Sequence, residues 1–241
     1  MTDAVTATPA PLPGLLARAV GVVVAPTAMF EKIVQTPRAA GILFFVAALM
    51  AVAVGGPQLT ERGRQAALDM QVQQTEKLSG QAVSDQQYAT MEKMSRYGAY
   101  FVAGSMLIFL PVMALIVAAV YFVIFNALLG GTATFRQVLA INTHSMVITA
   151  LGTLLGAPIQ YFKGVVTNAG PFNLGALVPM LPERSFLANF LGSISVFTVW
   201  GIIVTSIGLG VLYKRKSVNI AIGIFIVMGL IAGGWAYWVS R

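Results

Sequence analysis

Five long apolar runs, almost free of charged residues, alternate with shorter polar stretches along the chain. An apolar run of about 18 residues is long enough to cross a hydrocarbon core roughly 30 Å thick as an α-helix. Because these runs are continuous and do not alternate in polarity, they predict membrane-spanning helices and not the strands of a closed barrel. The predicted spans are residues 39–56, 98–129, 135–162, 186–213 and 217–239.

Composition supports this prediction of an all-α polytopic membrane protein. Of the 241 residues, 57% are hydrophobic and only 10% are charged, and the mean hydropathy is +0.81. Soluble domains are far less apolar. We therefore expect residues 39–241 to form a five-helix transmembrane domain, preceded by a cytoplasmic tail over residues 1–38.

Two proline residues, Pro26 and Pro37, divide the tail into two short predicted helices. In the second helix the apolar and polar side chains occupy opposite faces, which is typical of a helix lying in the membrane interface. The apolar face holds Met29, Phe30 and Ile33. A second interpretation, in which this face packs beneath the transmembrane bundle, is equally consistent with the pattern.

Residues 57–97 form the one substantial polar region and predict an extramembrane helical hairpin. Its first helix is expected to stop near Gly80, and Ser84 with Gln87 forms a capping box that starts a second helix, which is expected to continue into the second span. The hairpin is either a surface for a protein partner or a solvated spacer.

The loop over residues 163–185, rich in Gly, Pro and apolar residues, is expected at the interface or folded back over the bundle.

The dense basic cluster of Lys214, Arg215 and Lys216 lies between the last two predicted spans. Lys and Arg in short loops resist translocation, so this loop is expected in the cytoplasm and in contact with anionic lipid. Alternation of the spans then places the N-terminus inside and the C-terminus outside a membrane that we expect to be the bacterial inner membrane. The total numbers of Lys and Arg on the two sides are nearly equal, so the orientation depends on this cluster.

The residue counts and motifs disfavour metal-binding sites, the common catalytic sites and ion-driven transport. The chain has no cysteine and one histidine, which removes thiolate sites and metalloprotease motifs. The Gly-x-Ser-x-Gly elbow and the phosphate-binding loop are absent. No predicted span interior holds an Asp, Glu, Lys or Arg, the residues that ion-driven transporters usually keep as relays or counter-ions. We predict no catalytic, metal-binding or cofactor-binding residues, and no nucleic-acid partner, because the net charge of +7 is dispersed.

Small and hydroxyl residues recur every three or four positions in the third and fourth spans. Such stripes let membrane helices approach closely, so helix packing is the primary interpretation and a ligand-lining path is the alternative. In the fifth span, Gly229 and Gly233 repeat the pattern. The candidate stripe consists of Asn142, Ser145, Thr149, Gly152 and Gly156 in the third span and Thr198, Gly201, Thr205 and Gly208 in the fourth.

His144 lies off this stripe, about 200° around the helix from Asn142. A neutral, hydrogen-bonded histidine at a helix interface is the preferred interpretation over a ligand or proton carrier. On that interpretation His144→Leu is mild. Asn142 itself is expected to bond to a hydroxyl or carbonyl group of another helix.

Three segments resemble bacterial members of the Yip family of Ypt-interacting proteins: "PTAMFEKIVQTP", "GGTATFRQVLAI" and "LGSISVFTVWGIIVTSIGL". The resemblance extends from about Val24 onward, with Phe197, Trp200 and Gly208 at similar positions. Family members often carry an Asp just before that Phe, where this chain has Ser195 or Val196. The Asp-Leu-Tyr-Gly-Pro motif of eukaryotic relatives, associated with Rab GTPase binding, is absent. The resemblance implies membrane organisation or protein recruitment, and GTPase binding does not carry over.

Two functions follow from these observations. The first is a non-enzymatic membrane-organising protein that binds lipid or a protein partner, at the hairpin or at the N-terminal helices, and that can form a homo-oligomer. The second is a small transporter, channel or lipid conduit that uses the stripes. A continuous polar cavity or lipid-filled groove between the third and fourth spans would favour the second, and a dry, closed bundle the first.

Overall fold

The computed structural model describes residues 12–164, 166, 170–178, 180–182 and 185–241. Within them the secondary structure is helical, apart from one isolated antiparallel bridge. Five helical segments are long and apolar enough to cross a membrane, and the chain is an all-α polytopic membrane protein. Residues 1–11 of the predicted tail and parts of the 163–185 loop lie outside the described residues.

Ten α-helices follow one another along the described chain. Their bounds are α1 Leu15–Val24, α2 Pro26–Gln35, α3 Ala40–Gly55, α4 Glu61–Ser79, α5 Asp85–Ser95, α6 Gly98–Phe122, α7 Phe135–Lys163, α8 Phe186–Gly192, α9 Val196–Tyr213 and α10 Ser217–Val239. A short 3₁₀ segment, Gly56–Leu59, extends α3, and a π-helical segment, Val123–Leu128, extends α6. The spanning segments are therefore α3, α6, α7, α9 and α10 with these extensions.

The fourth span is shorter than predicted. The expected helix over residues 186–213 is divided into α8 and α9, because the chain turns at 193–195 to pair with the preceding loop. Leu174 N donates to Ile194 O at 2.8 Å, and Val196 N donates to Phe172 O at 3.0 Å. The described part of the 163–185 loop thus folds back over the bundle.

Helix α7 forms the centre of the bundle. It is the most buried of the five spans, and it packs against α3, α6 and α9. Thr134 and Gln137 form the predicted capping box at its start. Helix α10, by contrast, packs on one side only and is the least buried span.

The N-terminal helices pack against the bundle. Phe30 and Ile33 of α2 are completely buried in a cluster with α7 and α9 residues, so the packing interpretation applies to this face. Helix α1 differs because Leu16, Val20 and Val24 remain exposed.

The polar hairpin is present with the predicted boundaries, except at its end. Gly80 has the left-handed backbone conformation that glycine favours, and it terminates α4. Ser84 and Gln87 form the capping box of α5. This helix does not run unbroken into the second span, because Arg96 and Tyr97 form a turn between α5 and α6.

Candidate functional site

The polar residues of α7 are mostly satisfied by backbone carbonyl groups. Asn142 is buried, and its Nδ2 donates to Ala114 O of α6 at 3.0 Å. This is the bond to another helix that the sequence predicts. Ser145 Oγ donates instead to Ile141 O, one turn earlier in its own helix, at 3.0 Å. Of these two side chains, only Asn142 links spans.

Two glycines mark the close approach of α7 and α9. A Cβ added to Gly152 would lie 2.4 Å from the ring of Phe197, and one added to Gly208 would lie 2.6 Å from Ile141. Contacts this short do not occur between real side chains. The interface is therefore filled by side chains at both levels, as close packing requires.

The remaining stripe positions do not form one continuous contact face. Gly156 faces Pro171 of the 163–185 loop and not a helix, and Gly201 has only an ordinary contact with Thr149. Thr149 is exposed and Thr198 is half-buried. Thr205 Oγ1 is buried and donates to the Gly201 carbonyl of its own helix at 2.8 Å.

The expected close packing in the fifth span is not found. A Cβ at Gly229 or Gly233 would have no heavy atom within 4 Å. Both glycines are half-buried, and α10 packs mainly against α9 and α8.

His144 is completely buried and uses both ring nitrogens. Nδ1 lies 2.6 Å from Ala140 O, and Nε2 lies 3.4 Å from Arg18 Nη1. A carbonyl can only accept and a guanidinium can only donate, so Nδ1 carries the proton and Nε2 accepts. The geometry therefore fits the neutral tautomer.

Arg18 of α1 is the residue that the sequence analysis missed. It is 7% exposed, and besides the His144 contact its Nη1 donates to Arg38 O at 3.3 Å. From the sequence it was counted only among the Lys and Arg residues on the predicted cytoplasmic side. The available signal was its place on the same helical face as Leu15 and Val22, the face that packs inward.

The Arg18 guanidinium carries a buried positive charge without a neutralising partner in the described chain. No carboxylate among the described residues lies within 4.0 Å of it, and its Nε is buried without a hydrogen bond. Burial and, secondarily, the charge of Arg38 lower the pKa of Arg18. Arginine nevertheless remains protonated in proteins.

The basic cluster lies at the end of the bundle where α9 stops. Lys214, Arg215 and Lys216 are all exposed, and Arg215 Nη2 donates to Leu129 O at 2.9 Å. This bond joins the loop between α9 and α10 to the end of the second span. The predicted contacts with lipid and with a protein partner both require exposed polar side chains such as these.

The acidic side chains and the histidine of the described residues do not cluster into a metal site. No group of three or more His, Asp or Glu side chains there could hold a metal ion. The polar groups described above bond mainly to backbone carbonyls.

Comparison with known proteins gives a consistent result. The family model described as the Yip1 domain matches residues 20–239. The chain is also similar to Membrane protein YknW of Bacillus subtilis (strain 168), with 26% identity over 220 residues that cover 88% of each chain. No solved structure matches the chain significantly.

Proposed function

The chain belongs to the Yip1 domain family, and from this premise we propose a non-enzymatic integral protein of the inner membrane that organises the membrane by binding a protein partner and lipid. The observation that carries the proposal is the use of the polar groups in the spans. Asn142, Ser145 and Thr205 are engaged with backbone carbonyls. The two hydroxyl donors and the engaged amide N–H cannot donate to a passing solute unless these bonds break.

Packing between α7 and α9 favours this proposal over a conduit. The ring of Phe197 fills the space at Gly152, and Ile141 and Phe30 fill the space at Gly208. A polar path along the stripe would have to pass both points, where no room for an added Cβ exists.

We propose an orientation with the N-terminus in the cytoplasm and the C-terminus outside. Gln137 Nε2 donates to Val34 O at the end of α2, and Arg215 bonds to Leu129 O. These contacts put α2, the loop before α7 and the basic cluster at the same end of the bundle. The positive-inside rule then supports a cytoplasmic location for that end.

The hairpin is the better supported surface for a protein partner, because the apolar face of α2 is covered. Lys77 Nζ donates to Asn189 Oδ1 at 2.6 Å and ties α4 to α8. The side chains of Glu92, Lys93 and Arg96 in and after α5 remain exposed around a shallow concavity. This mixed-charge surface suits a polar protein contact.

Native electrophoresis of mildly solubilised native membranes tests the proposal. The tagged parent is expected to migrate as a complex larger than the purified protein. The double variant Lys93→Glu and Arg96→Glu is expected to migrate at the size of the purified protein, whereas Arg241→Glu, at an exposed cation outside the hairpin, retains the complex. An unchanged complex in the double variant, or a parent that migrates alone, contradicts the proposal.

A further inference from the structure

One edge of the buried Arg18 guanidinium is unused. Nη1 makes both hydrogen bonds, to Arg38 O and to His144 Nε2. Nε has no partner and is buried, and Nη2 has no hydrogen bond to a described residue. Among the described residues, Arg18 Nε is the one polar side-chain atom that is both buried and without a hydrogen bond. Since Nη2 also has no hydrogen bond, it is not buried to the same degree. Nη2 is therefore the guanidinium atom that an oxygen of a phosphate or carboxylate group can reach, beside the enclosed and unbonded Nε.

Charge makes an anion the expected partner of Arg18 Nη2. Removing one partner from a buried ion pair is strongly destabilising, because an uncompensated charge remains. Arg38 lies beside Arg18, is exposed, and has no carboxylate within 4.0 Å in the described chain. Arg18 thus bonds to the backbone of a second arginine, and neither guanidinium has an acidic partner among the described residues.

A groove beside this site supports a lipid as the source of the anion. The groove has a volume of about 300 Å³ and is lined only by apolar residues of α1, α3 and α7. Ala19, which lines it, follows Arg18 in α1, and Val147 lies one helical turn beyond His144. Leu16 and Val20, at the rim, are 65% and 59% exposed, as expected for side chains that face acyl chains.

We propose that an anionic phospholipid binds here, with a phosphate oxygen on Nη2 of Arg18 and an acyl chain in the groove. The proposal rests on the lipid-binding part of the proposed function and assigns it a site. An apolar groove next to an unneutralised cation complements both ends of such a lipid. A soluble anion would use only the cation.

Thermal unfolding of the delipidated full-length protein in detergent tests this assignment. Phosphatidylglycerol is expected to raise the melting temperature, whereas zwitterionic phosphatidylcholine of the same chain length and inorganic phosphate are not. Arg18→Lys keeps the charge but is shorter and lacks the Nη2 donor, so the apparent affinity for phosphatidylglycerol should fall about tenfold or more, as for one charge-assisted hydrogen bond. Leu49→Trp, which fills the groove, should weaken the effect of the lipid while Arg18 is intact.

Matched controls separate this site from other cations. Lys163→Gln and Lys32→Gln should leave the response to phosphatidylglycerol unchanged, because both side chains are exposed elsewhere. Equal responses to the two lipids, an equal response to inorganic phosphate, or an unaltered response in Arg18→Lys contradicts the proposal.

The N-terminal segment contains one acid, Asp3. A response to phosphatidylglycerol that is absent in the parent but present in Asp3→Asn would also contradict the proposal. If any of these results occurs while the hairpin-dependent complex is retained on native electrophoresis, the lipid site is wrong but the proposed function stands. Loss of that complex in the parent overturns the proposed function.

Discussion

At the scale of single residues, glycine matters in this bundle only where a neighbour occupies the place of its side chain. Gly152 lies against Phe197, whereas Gly229 of α10 has open space around it. The two residues are indistinguishable in the sequence pattern, because both belong to stripes of small residues with the same spacing. What separates them is the position of another helix.

Gly152→Ala is therefore predicted to destabilise the protein, because the new methyl group would lie 2.4 Å from the Phe197 ring. Over-packing of this kind costs about 1 to 3 kcal/mol. Gly229→Ala is the matched control and should melt at or above the parent temperature, since Ala favours a helix over Gly. Thermal unfolding in detergent measures the melting temperatures of both variants. If Gly152→Ala had the same melting temperature as the parent, the close crossing of α7 and α9 would be disproved.

The Arg18 contact reverses the sequence-based expectation for His144. His144→Leu removes the acceptor of a buried Arg18 Nη1 contact, and a stranded buried donor costs about 1 to 3 kcal/mol. The double variant Arg18→Leu and His144→Leu removes both polar partners and should be less destabilised than the sum of the single variants. If the double variant lowered the melting temperature by the sum of the two single-variant shifts, the two side chains would not interact.

At the scale of elements, hydropathy is sufficient to predict where the spans lie but not where a tertiary contact interrupts one. The spans over α3, α6, α7 and α10 begin within one residue of their predicted starts, because their length and apolar character are local properties. The break before α9 is not local, since Ser195 is bridged to Asn173 of the loop. Likewise, Arg18 and His144 are 126 residues apart, so neither helix alone indicates their contact.

Helix α2 is predicted to act as part of the core. Phe30→Ala should destabilise the protein by about 3 to 5 kcal/mol, the usual cost of truncating a buried aromatic side chain, because Phe30 is completely buried. Glu31→Ala, exposed on the same helix, should have little effect. If Phe30→Ala melted like the parent, α2 would be a peripheral interfacial helix after all.

At the scale of the whole molecule, contacts between loops define two ends of the bundle. One end holds the hairpin, which bonds to α8 through Lys77. The other end holds the basic cluster, which bonds to the end of the second span through Arg215. The described chain has five spans, an odd number. The helices before the first span and the end of α10 are therefore expected at opposite ends of the bundle, in agreement with this division.

The proposed orientation predicts opposite labelling of two introduced cysteines, which report cleanly because the chain has none of its own. In intact cells, Ser79→Cys in the hairpin should react with an impermeant thiol reagent, and Ser217→Cys should react only after permeabilisation. The reverse pattern would invert the orientation and place the basic cluster outside.

The central claim, that the polar stripe of α7 and α9 packs helices and conducts nothing, is tested most directly by flux through vesicles containing the purified protein. The parent is expected to pass small ions and fluorescent phospholipid no faster than empty vesicles do. Asn142→Ala is expected to show the same absence of flux while losing about 0.6 kcal/mol of stability, the average for a hydrogen bond between membrane helices. Flux through the parent that Asn142→Ala abolishes would contradict the account and establish the stripe as a pathway.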